Sequence, residues 1–317
     1  MQSIVDCTFN KDKLSVYVCD GISQDNSVEI VKQYSAKYSF IFLLENPKRT
    51  TPYALNIGIT ASIADVIMIL GAHAEIFPDY IEQSLELLKL HQDVGCVGGI
   101  LENKFFDETS ESIALAMSSP FGVGNSSFRT GGEEGYVDTV AFGSYRRDVF
   151  DKCGLFDEEL ARNQDDEFNF RILKKGFKIY FSPKIRSKYH VRSGFEKLMK
   201  QYYQYGFWKV YVNKKHAVIT TIRQLVPPIF VLSVILGLLF STVSVLFSLV
   251  TSASFLIYLS AALVFAFMKV PAFRYLPKVI LSFFILHFSY GSGYLYGLIH
   301  FIGLNKKPEK SHESLTR

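Results

Sequence analysis

From Val226 to Ile302 the only formal charges are Lys269, Arg274 and Lys278. A run of that length and apolarity has no counterpart in a water-soluble core, so membrane association is the first constraint on what this chain can become. Val226 to Val250 supplies 25 uncharged residues, about 37 Å of helix at roughly 1.5 Å per residue, more than the ~30 Å hydrocarbon core of a bilayer. Ser252 to Met268 adds 17 more, near the lower limit for a span. A break at Thr251 to Ala253 would make the two a tight helical hairpin. Lys214, Lys215 and Arg223 precede it and Lys269, Arg274 and Lys278 follow it, which places both ends on the cytoplasmic side. Val279 to Ile302 is apolar but carries His287, His300, Gly291, Gly293 and Gly297. It reads equally as a third span with a packed face or as a segment lying partly in the interface. Lys306, Lys307 and Lys310 then favour a cytoplasmic C-terminus, which an odd number of crossings contradicts. The organisation expected is therefore a globular domain over 1–212, a membrane region over 213–305 with helices at 226–250, 252–268 and 279–302, and a polar cytoplasmic tail over 306–317.

Upstream, charged, aromatic and aliphatic residues mix as in a soluble domain. Met1 to Leu14 contains Asp6, Lys11, Asp12 and Lys13 and lacks the apolar core of a signal peptide. The expectation is a multi-pass protein of the inner (cytoplasmic) membrane with its globular half in the cytoplasm. Cys7, Cys19, Cys96 and Cys153 show no metal-ligand spacing and read as reduced thiols. The net charge is +4, with no basic stripe interleaved with aromatics, so nucleic-acid binding is excluded.

The globular half alternates short apolar runs with amphipathic stretches. Strands are predicted at Leu14–Cys19, Phe40–Leu44, Asp65–Leu70, Val94–Ile100, Val137–Phe142 and Lys178–Phe181. Helices are predicted at Val28–Tyr38, Pro52–Ser62, Pro78–His91, Arg147–Cys153 and from Asp165-Asp166-Glu167 to Lys175. That alternation predicts an α/β domain with a mostly parallel sheet, helices on both faces, and ligands at the carboxyl ends of the strands. Glu102 to Tyr136, rich in Ser, Gly, Asn and Glu, reads as a partly helical excursion with a mobile loop around Gly122–Gly135.

Five motifs in register resemble those of family-two inverting glycosyltransferases, with closest similarity to the succinoglycan-type exopolysaccharide enzymes. They are Val18-Cys-Asp20-Gly21-Ile-Ser23-Gln-Asp25-Asn-Ser27, Pro52-Tyr-Ala-Leu-Asn56-Ile-Gly58, Gly71-Ala-His73-Ala, Phe142-Gly143-Ser-Tyr-Arg146-Arg147 and Asn163-Gln164-Asp165-Asp166-Glu167-Phe-Asn-Phe-Arg171. The resemblance covers about residues 14–212 and implies a GT-A (nucleotide-diphospho-sugar transferase) fold followed by transmembrane helices. The family's opening strand and Pro-x-Tyr-Asn-Glu-like loop have no counterpart here, so the sheet is expected to lack its first strand.

The resemblance implies a nucleotide site at Asp20, Asp25 and Ser27, with Asn56 and Arg171 also on the donor side. It implies a divalent cation, Mn²⁺ or Mg²⁺, with His73 and His190 as ligands. Family members carry an Asp-x-Asp or Asp-x-His triplet where this chain has Gly71-Ala72-His73, so the first carboxylate is missing. An inverting transfer needs a carboxylate to take the acceptor hydroxyl's proton. Counting back from Arg171 puts that base at Asp165, with Asp166 beside it. Gln201, Gln204 and Trp208 occupy the position of an acceptor-framing helix at the membrane surface. The implied activity is transfer of a sugar from a nucleoside-diphosphate sugar, UDP-linked, to a lipid-linked or polysaccharide acceptor in envelope or exopolysaccharide synthesis. The alternative is a non-catalytic relative serving as a partner or glycan-binding subunit.

Overall fold

The computed structural model describes residues 1–309, so Lys310 and most of the expected polar tail lie outside the described residues. Two compact units emerge: Met1–Glu102 with Gly131–Tyr189, and Asn103–Thr130 with His190 onward. The second unit takes in 103–130 and 190–212, which the sequence groups with the globular domain. Side-chain composition within a segment does not report which distant helices it will pack on.

In chain order the elements are α1 (Gln2–Val5), β1 (Val16–Asp20), α2 (Ser27–Lys37), β2 (Ile41–Glu45), α3 (Thr51–Ala61), β3 (Val66–Met68), β4 (Ala74–Ile76), α4 (Tyr80–Leu90) and β5 (Val94–Lys104). Next come α5 (Glu108–Met117), α6 (Pro120–Val123), α7 (Ser127–Thr130), β6 (Gly135–Val137), β7 (Ser144–Arg146), α8 (Arg147–Cys153), α9 (Gln164–Lys174) and β8 (Lys178–His190). The helices α10 (Phe195–His216), α11 (Val226–Ser241), α12 (Val245–Phe267) and α13 (Leu276–Gly297) complete the described chain.

In the first unit β1 and β2 form a parallel pair, Val16 opposite Ile41 through Asp20 opposite Glu45. The remaining strands form a second sheet in the order β3-β7-β5-β8-β4, with β6 also on β8. Its β3/β7, β5/β7, β4/β8 and β6/β8 ladders are antiparallel, which corrects the expectation of a mostly parallel sheet. Of the strand expected over Val137–Phe142, Val137 ends β6, and the next strand, β7, forms only beyond it at Ser144–Arg146. Phe142 takes a left-handed backbone (φ 50°), so the chain bends there before it enters the sheet at Ser144, antiparallel to β3 and β5. β8 runs to His190, well past the short strand expected.

Val94, Val97 and Ile185 pack with Ile81, Leu87 and Leu88 in one buried cluster, and Val149, Phe168, Ile172, Ile179 and Phe181 are likewise essentially without solvent contact. Phe156 and Phe168 pack with ring centroids 4.4 Å apart, and Phe150 stacks on Phe168 at 5.2 Å. Aromatic pairs in such geometry add to the area they bury.

In the second unit the apolar residues form three helical segments long enough to cross a membrane, Ile222–Ser241, Val245–Phe267 and Phe273–Gly303. The break between the first two falls at Thr242–Ser244, not at Thr251–Ala253. Ser241 and Thr242 hydroxyls donate to the carbonyls of Leu238 and Leu239 at 2.9 and 3.1 Å, competing with the helical ladder just where it ends. Thr251 instead bonds Phe247 O one full turn back and stays helical.

Candidate active site

Asp20 closes β1, and its Oδ2 accepts the Ser23 N–H at 2.9 Å. Asp25 is exposed and accepts the Ser27 N–H at 3.0 Å, shaping the entry to α2. These two bonds shape the strand-to-helix turn that carries both carboxylates, groups able to accept hydrogen bonds.

Beyond β3 the chain turns through Gly71–His73, with Ala74 N–H returning to Gly71 O. Ile69 N–H donates to Gly143 O, so this turn and the Phe142-Gly143 bend are neighbours. A Cβ on Gly71 would lie 3.1 Å from Phe142 Cε1. A side chain at the first triplet position would press on the edge of the Phe142 ring. His73 sits exposed on that turn. Among the described residues no group of three or more His, Cys, Asp or Glu side chains is placed to hold a metal ion. His190 lies in the second unit, its ring stacked on Phe106 at 5.4 Å and 14°. The residues present do not fit a protein-built cation site, and no chemical step is derived through one.

Gly143 is required by its surroundings, since a Cβ there would fall 2.7 Å from Cys96 Sγ and 2.7 Å from Tyr145 Cζ. Tyr80 donates its hydroxyl to Phe142 O from below. Tyr145 is fully buried, and burial, then the neighbouring Cys96 and Asp165 charges, raises its hydroxyl well above the ordinary tyrosine range. Asp165 thus reaches Tyr145 electrostatically while its own side chain is exposed at the first turn of α9. Asp165 Oδ1 also accepts the Asp166 N–H at 2.9 Å. Asp165, Asp166 and Glu167 all stand in that first turn, where unpaired helix N–H groups favour negative charge.

Two residues expected at the site, Arg171 and Asn56, make scaffold contacts. Arg171 donates Nε and Nη2 to Glu167 Oε1 and Oε2 at 2.8 and 2.9 Å, and reaches Cys153 O and Leu155 O at 2.6 and 2.8 Å. These bonds to protein acceptors fasten α9 to the end of α8. Glu167 is buried by the same pair. Asn56, 6% exposed, donates Nδ2 to Phe156 O at 2.9 Å and to Glu158 Oε1 at 3.0 Å, and accepts the Phe156 N–H at 2.9 Å. Asn56 therefore ties α3 to the loop that leads into α9. Glu158 completes the tie through Lys48 at 2.8 Å, and Lys48 and Asn56 hold its carboxyl below the ordinary glutamate value. Sequence reasoning missed Lys48, Glu158 and Tyr145, because neither periodicity nor spacing marks a residue whose partner is a hundred positions away.

In the second unit Gln201, Gln204 and Trp208 lie along one side of α10, all buried. Gln201 Nε2 donates to Tyr205 OH at 2.8 Å, while Gln201 Oε1 and Trp208 Nε1 make no hydrogen bond among the described residues. Buried polar atoms of that kind are exceptions in native proteins.

Residues 2–154 match the family described as Glycosyl transferase family 2. A Methanococcus voltae protein named dolichyl N-acetyl-alpha-D-glucosaminyl phosphate 3-beta-D-2,3-diacetamido-2,3-dideoxy-beta-D-glucuronosyltransferase is 33% identical over 214 residues, covering 65% of this chain and 66% of its own length. Succinoglycan biosynthesis protein ExoA of Rhizobium meliloti is 27% identical, covering 67% of this chain and 64% of its own. The alignments thus span just under two thirds of these relatives. Among solved structures, a mannosyltransferase from Pyrobaculum calidifontis in complex with GDP-Man and Mn²⁺ superposes with a TM-score of 0.60 at 13% identity, covering 94% of this chain and 81% of its own, a likeness of fold alone. The motifs, the GT-A fold and the family match agree, and this chain carries a glycosyl transferase family 2 domain.

Proposed function

We propose that the chain is a membrane-bound inverting glycosyltransferase. It takes a sugar from a nucleoside-diphosphate sugar, UDP-linked, and places it on a lipid-linked saccharide in exopolysaccharide or envelope synthesis. The observation that carries this reading is the exposed Asp165 at the N-terminus of α9, shortly after the family 2 match over residues 2–154. In that role Asp165 accepts the acceptor hydroxyl's proton as the oxygen attacks the anomeric carbon, and the nucleoside diphosphate leaves from the opposite face. Asp166 adds negative charge beside it. Asp20, Asp25 and Ser27 hold the nucleotide, and Gln201, Gln204 and Trp208 frame the acceptor. A catalytic domain on the cytoplasmic side of the inner membrane follows from the lysines and arginines flanking the apolar segments.

A second reading, a non-catalytic relative that binds a partner or a glycan, is favoured by one observation, glycine in place of a carboxylate at position 71. Transfer or hydrolysis of a panel of UDP- and GDP-sugars by the solubilised chain, with Mn²⁺ or with a chelator, separates the two. In the enzyme, Asp165→Asn lowers turnover on the order of 10²–10⁴-fold, the range for loss of a general base, while nucleotide binding persists. Absence of nucleotide binding in both forms refutes the first reading. Turnover unchanged by the substitution removes Asp165 from the chemistry.

A further inference from the structure

The third apolar segment differs from the other two in what surrounds it. Its mean hydropathy is 1.3 against 2.1 and 2.0, and 44% of its apolar window is buried in protein against 22% and 11%. One side is covered along its length. At the start, Glu108 of α5 pairs with Lys278 at 2.7 Å. Further along, His287 Nε2 lies 2.8 Å from Phe121 O in α6. From there α10 takes over in backbone contact: a Cβ on Gly206 would lie 2.0 Å from Tyr290 O, and one on Gly293 would lie 2.0 Å from Tyr203 O. At the far end Lys214 Nζ reaches Phe301 O and Asn305 Oδ1 at 2.5 and 2.7 Å.

The covering helix is the wrong kind for hydrocarbon. α10 carries Glu196, Lys197, Lys200, Lys209, Lys214 and Lys215. Because it lies alongside α13 in matched register, any depth reached by the second half of α13 is shared by those charges. The uncovered side is a single apolar stripe, Leu281, Phe284, Phe288, Tyr296, Ile299 and Ile302. Contacts with the hairpin sit at its base. Gly291 packs on Pro227 and Val231, Tyr258 bonds His287, and beyond Val231 the buried α11 residue is Gly237, which faces Thr251 of α12.

We propose that α13 does not cross the bilayer. It lies in the plane of the membrane interface with its Leu281-to-Ile302 stripe against the acyl chains and α5 and α10 on its water-facing side, while only the α11–α12 hairpin enters the hydrocarbon deeply. A helix with one apolar and one covered polar face is the kind that rests at this boundary. The chain then enters and leaves the membrane on one side, which removes the conflict between three spans and the basic residues Lys306 and Lys307.

The test is depth. Phe284→Trp, Phe288→Trp and Ile299→Trp are made separately in the full chain, reconstituted in vesicles whose lipids carry bromine at shallow or deep acyl positions, with Trp208 as the buried background. An in-plane helix quenches at all three positions with the shallow label and equally. A crossing helix separates positions 284 and 299 by about 22 Å at 1.5 Å per residue, so unequal quenching, shifting from one label to the other, overturns the proposal. Reporters active on only one side of the membrane, fused to the N- or C-terminus of the unaltered sequence, provide a second reading. Termini on the same side agree with it, and termini on opposite sides refute it. Neither readout depends on sugar transfer, so failure here and failure of the proposed activity are distinguishable.

Discussion

Arg171→Met should destabilise the first unit and leave nucleotide recognition largely intact. Arg171 is 20% exposed at its side chain and Glu167 only 3%, so the substitution strands a buried carboxylate that had two guanidinium bonds. Removing one partner of a buried pair costs about 3–5 kcal/mol; partial opening of the arginine to water puts this case near the lower end. At roughly 2–4 °C per kcal/mol for a domain of this size, the melting temperature should fall on the order of 10 °C. The loss of bonds to Cys153 O and Leu155 O adds to it, because those carbonyls close α8. Glu167→Gln combined with Arg171→Met should recover part of the loss, since a neutral amide in place of the carboxylate removes the stranded charge. The assay is thermal unfolding of the solubilised chain for wild type, both single variants and the double variant, alongside nucleotide titration. A melting temperature within about 2 °C of wild type, together with weakened nucleotide binding, would refute the structural assignment and return Arg171 to the donor site.

Gly143→Ala should lower folding yield and cost about 1–3 kcal/mol, because its new methyl collides with Cys96 Sγ and the Tyr145 ring; a normal yield and unchanged unfolding midpoint would show that the bend adjusts freely. Glu158 titrates below its ordinary value of 4.5 in the folded chain, so its contribution to stability is complete above that value and is lost as pH falls through the depressed folded value. Glu158→Gln should therefore flatten the acid limb of the stability profile below about pH 4.5. An unchanged acid limb would place the titration elsewhere.

Much of this architecture is written locally. The Asp20 turn, the helix opening at Gln164 and the strands β1, β2, β3 and β5 all follow from short apolar runs bounded by turn and capping residues. The motif resemblance located Asp165 on an exposed first turn because an acidic cluster at a helix start is a local signal. Roles that depend on distant partners were not legible. Arg171 and Asn56 belong to family motifs, yet their side chains are satisfied by Cys153, Leu155, Phe156 and Glu158, and no spacing rule encodes those contacts.

The sequence by itself determined that the chain has an α/β half and a membrane half, since length and charge alone decide what hydrocarbon accepts. Tertiary structure decided strand direction, because β7 enters the second sheet antiparallel to both β3 and β5. It also decided where the hairpin turns and which side of α13 is covered by α10. Hydropathy counts residues and cannot tell a face covered by α10 from an exposed one, whereas packing fixes that difference through contacts between residues far apart in the chain.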